Sequence, residues 1–360
     1  MFDNLAGNQN VKELLKRMLE SGRVPGALLF AGEEGVGKKL FAVELAKALN
    51  CRTPKGIEAC DECSSCRRIG RFNFPQSDKA DELEQLIRTD HADVAMVLAP
   101  KRVLKVDQMR AIEREANYRP FEGKARVFLI DDADKLNDPS ANALLKTLEE
   151  PPPTSHLILI TARPGMLLAT IRSRCQSIRF SPIAVAEIEE YLARDKTAKP
   201  KEVRLRARLA SGSIGRALQT DLNDYESRRA VMVRVLEALT VTRDRQQLLT
   251  VSEELNSAKY KDDYEAMLDI LEALIRDAWK LKLQTGEIVN EDITSQLAKI
   301  AERLSSADAG RWIDEIEMLR EQLIVNINRK VATDALFLSM ADGRPNGIQF
   351  NTLRVPVRRV

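Results

Sequence analysis

The stretch that most limits what this chain can become is Leu28-Leu29-Phe30-Ala31-Gly32-Glu33-Glu34-Gly35-Val36-Gly37-Lys38-Lys39. A short apolar run reads as a buried strand, and it empties directly into a glycine-rich turn. Beyond the lysines, Phe41, Leu45, Ala48 and Leu49 recur at helical spacing, so the order is strand, loop, helix. In that setting G-x-x-x-x-G-K is a phosphate-binding loop rather than a chance glycine turn. Gly32, Gly35 and Gly37 let successive backbone N–H groups cradle an anion at a helix N-terminus, and Lys38 brings a point charge for phosphate. One position departs from the pattern. A Ser or Thr hydroxyl should follow the lysine to ligate Mg²⁺, and Lys39 stands there instead. A loop that binds nucleotide weakly, or never hydrolyses it, is the expectation.

A chain of 360 residues exceeds one ordinary core and suggests two or three domains. Its 56 Lys and Arg nearly balance 54 Asp and Glu, so net charge gives no general pull toward nucleic acid or membrane. Without a transmembrane-length apolar run or a signal-peptide pattern, the chain reads as cytosolic and soluble. Four of five cysteines crowd together in that setting, which points to metal rather than disulfides. Cys51, Cys60, Cys63 and Cys66 have the spacing C-x8-C-x2-C-x2-C. Two-residue spacings let a knuckle present two thiolates to one ion, and four complete a tetrahedral zinc shell. An iron–sulfur cluster or unligated thiols are the alternatives; structural zinc is the leading reading. Cys175 stands apart, as a small buried side chain.

Along the chain, residues 8–22 form an amphipathic pattern, and the helix after the loop runs to about Asn50. Leu83, Leu86 and Ile87 make a short helical stripe within 75–93, followed by a strand over 94–98 and a helix over 106–116. Val127-Phe128-Leu129-Ile130 has the continuous apolar character of a parallel strand buried on both faces. It ends in Asp131-Asp132-Ala133-Asp134, similar to the acidic strand end that holds Mg²⁺ in nucleotide-hydrolysing proteins. There the second position usually carries a glutamate that activates water, and Asp132 is one methylene short. Asp138 reads as a helix cap with Pro139 first in the helix, and Pro151-Pro152-Pro153 as its stop. Residues 156–160 are another buried strand reaching Thr161, a polar side chain near the presumed phosphates. His91 and His156 read as packing or strand-edge residues rather than ligands. In the last third, stripes at 268–281, 293–304 and from Trp312, extending through 332–338, indicate an all-helical region. The tail after Gly343-Arg344-Pro345, with Arg354, Arg358 and Arg359, lacks periodicity and reads as a solvated end.

The phosphate loop, the cysteine insert, Asp131 to Asp134, Asn142-Ala143-Leu144-Leu145-Lys146-Thr147-Leu148-Glu149-Glu150-Pro151-Pro152 and Ser173-Arg174-Cys175 stand in one order. That order resembles the clamp-loader family of bacterial DNA polymerase III, strongly over about residues 1–220 and in outline beyond. The resemblance implies an α/β P-loop AAA+ domain over 1–179, a parallel five-stranded sheet with helices on both faces, carrying the zinc module at about 51–66. A small helical lid over 180–222 and an all-α collar domain over 223–360 follow. Gly212-Ser213-Ile214-Gly215-Arg216-Ala217-Leu218 resembles a lid region in which motor subunits carry an arginine where this chain has Gly215.

The resemblance further implies a hetero-pentamer with gamma/tau and delta subunits, acting on a sliding clamp and primed DNA, in the nucleoid-associated replisome of the cytoplasm with no membrane partner. Structural Zn²⁺ and weakly held ATP or ADP are the implied cofactors. Arg174 becomes an arginine finger for a neighbouring subunit's ATP site. Gly32, Gly35, Gly37, Lys38, Lys39, Asp131, Asp132 and Thr161 form a degenerate nucleotide site. Lys39, Asp132 and Gly215 each remove one catalytic part, favouring a non-hydrolysing stator over a gamma/tau-type motor. The chain's end at residue 360, short of the extension of tau-type subunits, is expected to point the same way. A stand-alone P-loop kinase would explain neither Ser173-Arg174-Cys175 nor the helical last third.

Overall fold

Short apolar runs form a single sheet because their side chains are covered on both faces. The computed structural model describes residues 1–74, 86–99, 103–195, 197–257, 260, 263–323 and 328–342. The chain divides into two compact units, Met1–Gln219 and Thr220–Val360.

In the first unit the strands are β1 (Ala27–Ala31), β2 (Ile87–Arg88), β3 (Val94–Val97), β4 (Arg126–Ile130), β5 (Ser155–Thr161) and β6 (Gln176–Arg179). Their order across the sheet is β2-β3-β4-β5-β1-β6. From β3 to β6 every pairing is parallel, and β2 adds an antiparallel edge in which Ile87 faces Met96. The five expected parallel strands are therefore present, with one more at the edge. Ile87 belongs to that strand rather than to a helical stripe, and Leu83 lies outside the described residues.

Every residue of β1, β3, β4 and β5 is buried. Because side chains alternate along a strand, two cores result. On one face Leu28, Phe30 and Leu129 pack with Val11 and Leu15 of α1 (Gln9–Glu20) and with Phe41 and Leu45 of α2 (Lys38–Asn50). A short α3 (Ser64–Ile69) belongs to the cysteine segment. On the opposite face Leu29, Phe128 and Ile130 pack with Met109 and Ile112 of α4 (Val106–Ala116) and Leu144 and Leu148 of α5 (Asp138–Glu149). The cap of α5 is Asn137, not Asp138. Asn137 has extended backbone, and its Oδ1 accepts from Ser140 N at 3.0 Å. Pro139 is then second in the helix, where a missing N–H still costs nothing.

After α6 (Ala169–Arg172) and β6, three short helices follow: α7 (Val185–Leu192), α8 (Pro200–Leu209) and α9 (Ile214–Gln219). Ile183, Ile188, Leu192, Val203 and Ile214 give them a small core of their own.

Among its described residues the second unit has helices and no strand: α10 (Leu222–Glu237), α11 (Arg245–Leu255), α12 (Tyr264–Leu283), α13 (Thr294–Arg303), α14 (Ser306–Leu323) and α15 (Arg329–Asp342). The stripe from Trp312 belongs to α14 and that over 332–338 to α15, a separate helix. A polar anchor supports the connection from α12 to α13. Buried Asp277 accepts from Val289 N (2.9 Å), Asn290 N (2.8 Å) and Asn290 Nδ2 (2.8 Å). The tail read from Gly343 onward, including Arg354, Arg358 and Arg359, lies outside the described residues.

Candidate functional site

The parallel sheet brings the C-terminal ends of β1, β4 and β5 together. Gly32 N–H, just past β1, donates to Thr161 O at the end of β5 at 3.3 Å. Gly35 and Gly37 follow with φ of 75° and 96°, left-handed backbone that a side chain resists. Gly37 caps α2, so its first-turn N–H groups open onto the loop. Among the described residues the N–H groups of Glu34 to Lys39 donate to no acceptor in the chain. Undonated N–H groups at a helix start can receive an anion. Lys38 is almost fully buried, with Nζ donating to Gly32 O (2.7 Å) and Glu33 O (2.6 Å). Burial pushes its ammonium below the ordinary lysine value, against the opposing pull of Asp131 and its acidic neighbours.

The acidic strand end is filled by the chain's own cations. Lys39 Nζ lies 2.5 Å from Asp131 Oδ2. Asp132, in left-handed backbone at φ 52°, pairs with Lys135 at 2.8 Å. Asp134 accepts from Thr161 Oγ1 (2.7 Å) and from both Nε (2.9 Å) and a terminal nitrogen (2.6 Å) of Arg163. Despite its burial, those bonds hold Asp134 below the ordinary carboxylate value. Thr161 is thus at the predicted strand end, but its hydroxyl is turned to a carboxylate. A magnesium ion needs oxygen ligands, and the residue that should supply a hydroxyl is a cation already seated on Asp131. The residues present do not fit a Mg²⁺ ion here.

Contacts that sequence reasoning missed close over the loop. Gly215 N–H donates to Gly35 O at 3.0 Å, and Ser213 lies so near that a Cβ on Gly35 would sit 2.0 Å from its Oγ. A Cβ on Gly215 would be 3.2 Å from Gly35 Cα. Gly215 is therefore a point of close approach and not merely a lost arginine. The signal was the Gly-Ser-Ile-Gly spacing, whose partner in space no local pattern reveals. Leu40, beside Gly37, lines a narrow apolar cleft with Leu5, Tyr191, Ile214 and Leu218.

The cysteines converge as their spacing predicts. The sulfurs of Cys51, Cys60, Cys63 and Cys66 all lie within 4.8 Å of one another. Separations are 3.5 Å for Cys51–Cys60, 3.9 Å for Cys51–Cys63 and 3.9 Å for Cys60–Cys66. A tetrahedron with metal–sulfur bonds of about 2.3 Å has edges of roughly 3.8 Å, so the four thiols fit one ion. The Thr53 hydroxyl, bonded to Cys60 Sγ, helps bring that thiol down to about 6. Apart from Ala59, the module's own apolar core consists of its cysteines, so an ion held there would add cohesion that its side chains do not supply. Two-pronged bonding of Arg68 on α3 to Glu122, at 3.0 and 2.5 Å, ties it to the loop before β4 and lowers the Glu122 carboxyl to about 2. Lys47 of α2 reaches Asp61 at 3.0 Å.

Arg174 follows α6 and lies with none of these groups. Its Nε donates to Glu149 Oε1 at 2.6 Å, and a terminal nitrogen donates to Thr170 O at 2.9 Å. A second guanidinium nitrogen also pairs with Glu149. The side chain keeps 30% of its surface exposed. Cys175 beside it is buried, and burial pushes its thiol up to about 12. His156 is a buried strand residue whose Nδ1 meets Pro25 O at 3.0 Å, as a packing role requires.

Two family models match the chain. One, described as DNA polymerase III, delta subunit, covers residues 7–184; the other, DNA polymerase III, delta subunit, C terminal, covers 227–340. The chain is 30% identical over 331 residues to DNA polymerase III subunit delta' of Escherichia coli (strain K12), spanning 91% of this chain and 92% of that protein. It is 28% identical over 337 residues to subunit delta' of Bacillus subtilis (strain 168), spanning 92% and 96%. Against subunit tau of E. coli it is 31% identical over 333 residues, which are 89% of this chain and 47% of tau.

Proposed function

The chain belongs to the delta-prime family of DNA polymerase III clamp-loader subunits, and on that premise we propose that it works as a stator that turns over no ATP of its own. In this reading residues 1–179 are the AAA+ domain, 180–222 its lid and 223–360 a collar segment. The collar joins it to gamma/tau and delta subunits in a cytoplasmic ring that places a sliding clamp on primed DNA. The observation that carries the stator reading is the ion pair of Lys39 with Asp131. Where a hydrolysing site needs a metal-bound hydroxyl and a free carboxylate, this chain supplies an ammonium and a neutralised one. The pairings of Asp132 and Asp134 support it further. These contacts favour the stator over the gamma/tau motor.

Arg174 is then the chain's contribution to catalysis, in trans. A guanidinium is always charged and matches phosphate oxygens with a fixed fork. Held on Glu149 in the free chain and part exposed, it exchanges that carboxylate for a neighbour's γ-phosphate when the ring assembles. Zinc occupies the four-cysteine site, where its role is to fold the module; a closed thiolate shell leaves no position for a reactant. Steady-state turnover by the isolated chain tests the reading. No magnesium-dependent ATP hydrolysis is expected above background. Turnover that disappears in Lys38→Ala would make the chain a motor.

A further inference from the structure

We propose that the phosphate loop is a metal-free diphosphate site, in which the Lys39 ammonium does the electrostatic work that such loops assign to a divalent cation. The inference rests on the non-hydrolysing reading above and adds a ligand class to it: a diphosphate not complexed to metal, free or as the tail of a nucleotide.

Three features carry it. The first is where Lys39 sits. Its Nζ is 2.5 Å from Asp131 Oδ2, yet its side chain remains 43% exposed against 15% for the aspartate. An ammonium has three donors, and this contact occupies one. Lys39 is therefore anchored with donors to spare. The second is the absence of a carboxylate for a metal at the acidic strand end. Asp131, Asp132 and Asp134 are each held by a cation of the same chain. A divalent ion would have to displace Lys39 and then lie against a displaced positive charge. The third is the cradle. The N–H groups of Glu34 to Lys39 donate to nothing among the described residues, and Lys38 is lodged on two carbonyls of the same loop. Undonated amides and two ammonium groups on one loop suit a strong anion better than its metal complex.

The consequence is an inverted metal dependence. In a loop carrying the hydroxyl, magnesium joins nucleotide to protein, and chelation weakens binding. Here magnesium competes with Lys39 for the phosphate oxygens.

The test is calorimetric titration of the full chain with inorganic pyrophosphate and, separately, ADP, each in EDTA and in excess magnesium. Binding in EDTA should be at least as tight as in magnesium. Lys39→Met should weaken it roughly ten- to a hundredfold, as expected for one charge-assisted bond. Lys39→Thr, which restores the usual hydroxyl, should reverse the preference, so that magnesium tightens binding. Circular dichroism confirms that both variants fold, as a part-exposed side chain predicts. Tighter binding of ADP than pyrophosphate assigns the site to nucleotide, and equal binding to the diphosphate alone; both support the proposal. No binding of either ligand in EDTA, tighter binding with magnesium in the unaltered chain, or undiminished binding in Lys39→Met would overturn it. Those failures leave the stator reading standing, whereas magnesium-dependent ATP turnover would remove both.

Discussion

Gly35→Ala should loosen the contact between the phosphate loop and α9, and Ser213→Gly should partly restore it. At φ 75° an alanine costs about 1–2 kcal/mol relative to glycine. Its Cβ would also stand 2.0 Å from Ser213 Oγ, an overlap that forces Ser213 aside. Overpacking of this sort costs about 1–3 kcal/mol. Ser213 Oγ accepts from Arg216 N at 3.1 Å, so its displacement also uncaps α9. Gly35→Ala alone should therefore cost about 3 kcal/mol. Ser213→Gly alone should cost a few tenths, because glycine is a tolerable cap. The double variant should keep the backbone strain and lose the clash, for a total near 1–2 kcal/mol and a coupling of at least about 1 kcal/mol. Urea unfolding gives the global values. Hydrogen exchange at residues 214–219 reveals whether α9 opens before the unit unfolds. A cost below about 1 kcal/mol for Gly35→Ala with unchanged exchange, or costs that simply add, would refute the contact.

Three further outcomes follow from the same geometry. The purified chain should carry one zinc per molecule, and Cys60→Ser with Cys63→Ser should lose it; a metal-free native protein, or visible absorbance from iron, would contradict the site. Glu122, lowered from its ordinary 4.5 to about 2 by Arg68, contributes stability that is present above pH 4.5 and lost as pH falls through about 2. Glu122→Gln should flatten the acid limb of melting temperature against pH in that window, and an unchanged limb would place the cause elsewhere. Asp277→Ala removes the acceptor for the backbone N–H groups of Val289 and buried Asn290 and should destabilise the second unit by about 2–4 kcal/mol in denaturant titration.

The parts of this molecule that were legible in sequence are those fixed by local pattern. Buried strands at β1, β4 and β5 announced themselves as continuous apolar runs, and the cysteine spacing led directly to four converging sulfurs. Boundaries set by one hydrogen bond were harder to read. Asn137 and Asp138 are equally good caps in sequence, and only the extended backbone at Asn137 decides between them. The edge strand at Ile87 is two residues long, too short for any periodicity to show. Within the site, Lys39 was recognisable as a misfit, but its seat on Asp131 depends on the start of α2 meeting the end of β4. Similar meetings set Gly215 against Gly35, Arg163 on Asp134 and Arg174 on Glu149. Each joins segments distant in the chain, and partner choice across such distances is a property of the fold.

Arg174→Ala in a reconstituted ring tests most directly whether this chain acts on a neighbour's ATP. ATP turnover is measured with clamp and primed DNA present, on rings that gel filtration shows to be assembled. An arginine finger is worth roughly 10³–10⁵ in turnover where GTPases have been measured, so the site next to this chain should fall silent and clamp loading should slow. The isolated variant should stay folded, and Arg174→Lys should rescue little. If rings carrying Arg174→Ala hydrolyse ATP and load clamps at the unaltered rate, Arg174 serves only its ion pair with Glu149 and the trans role is wrong.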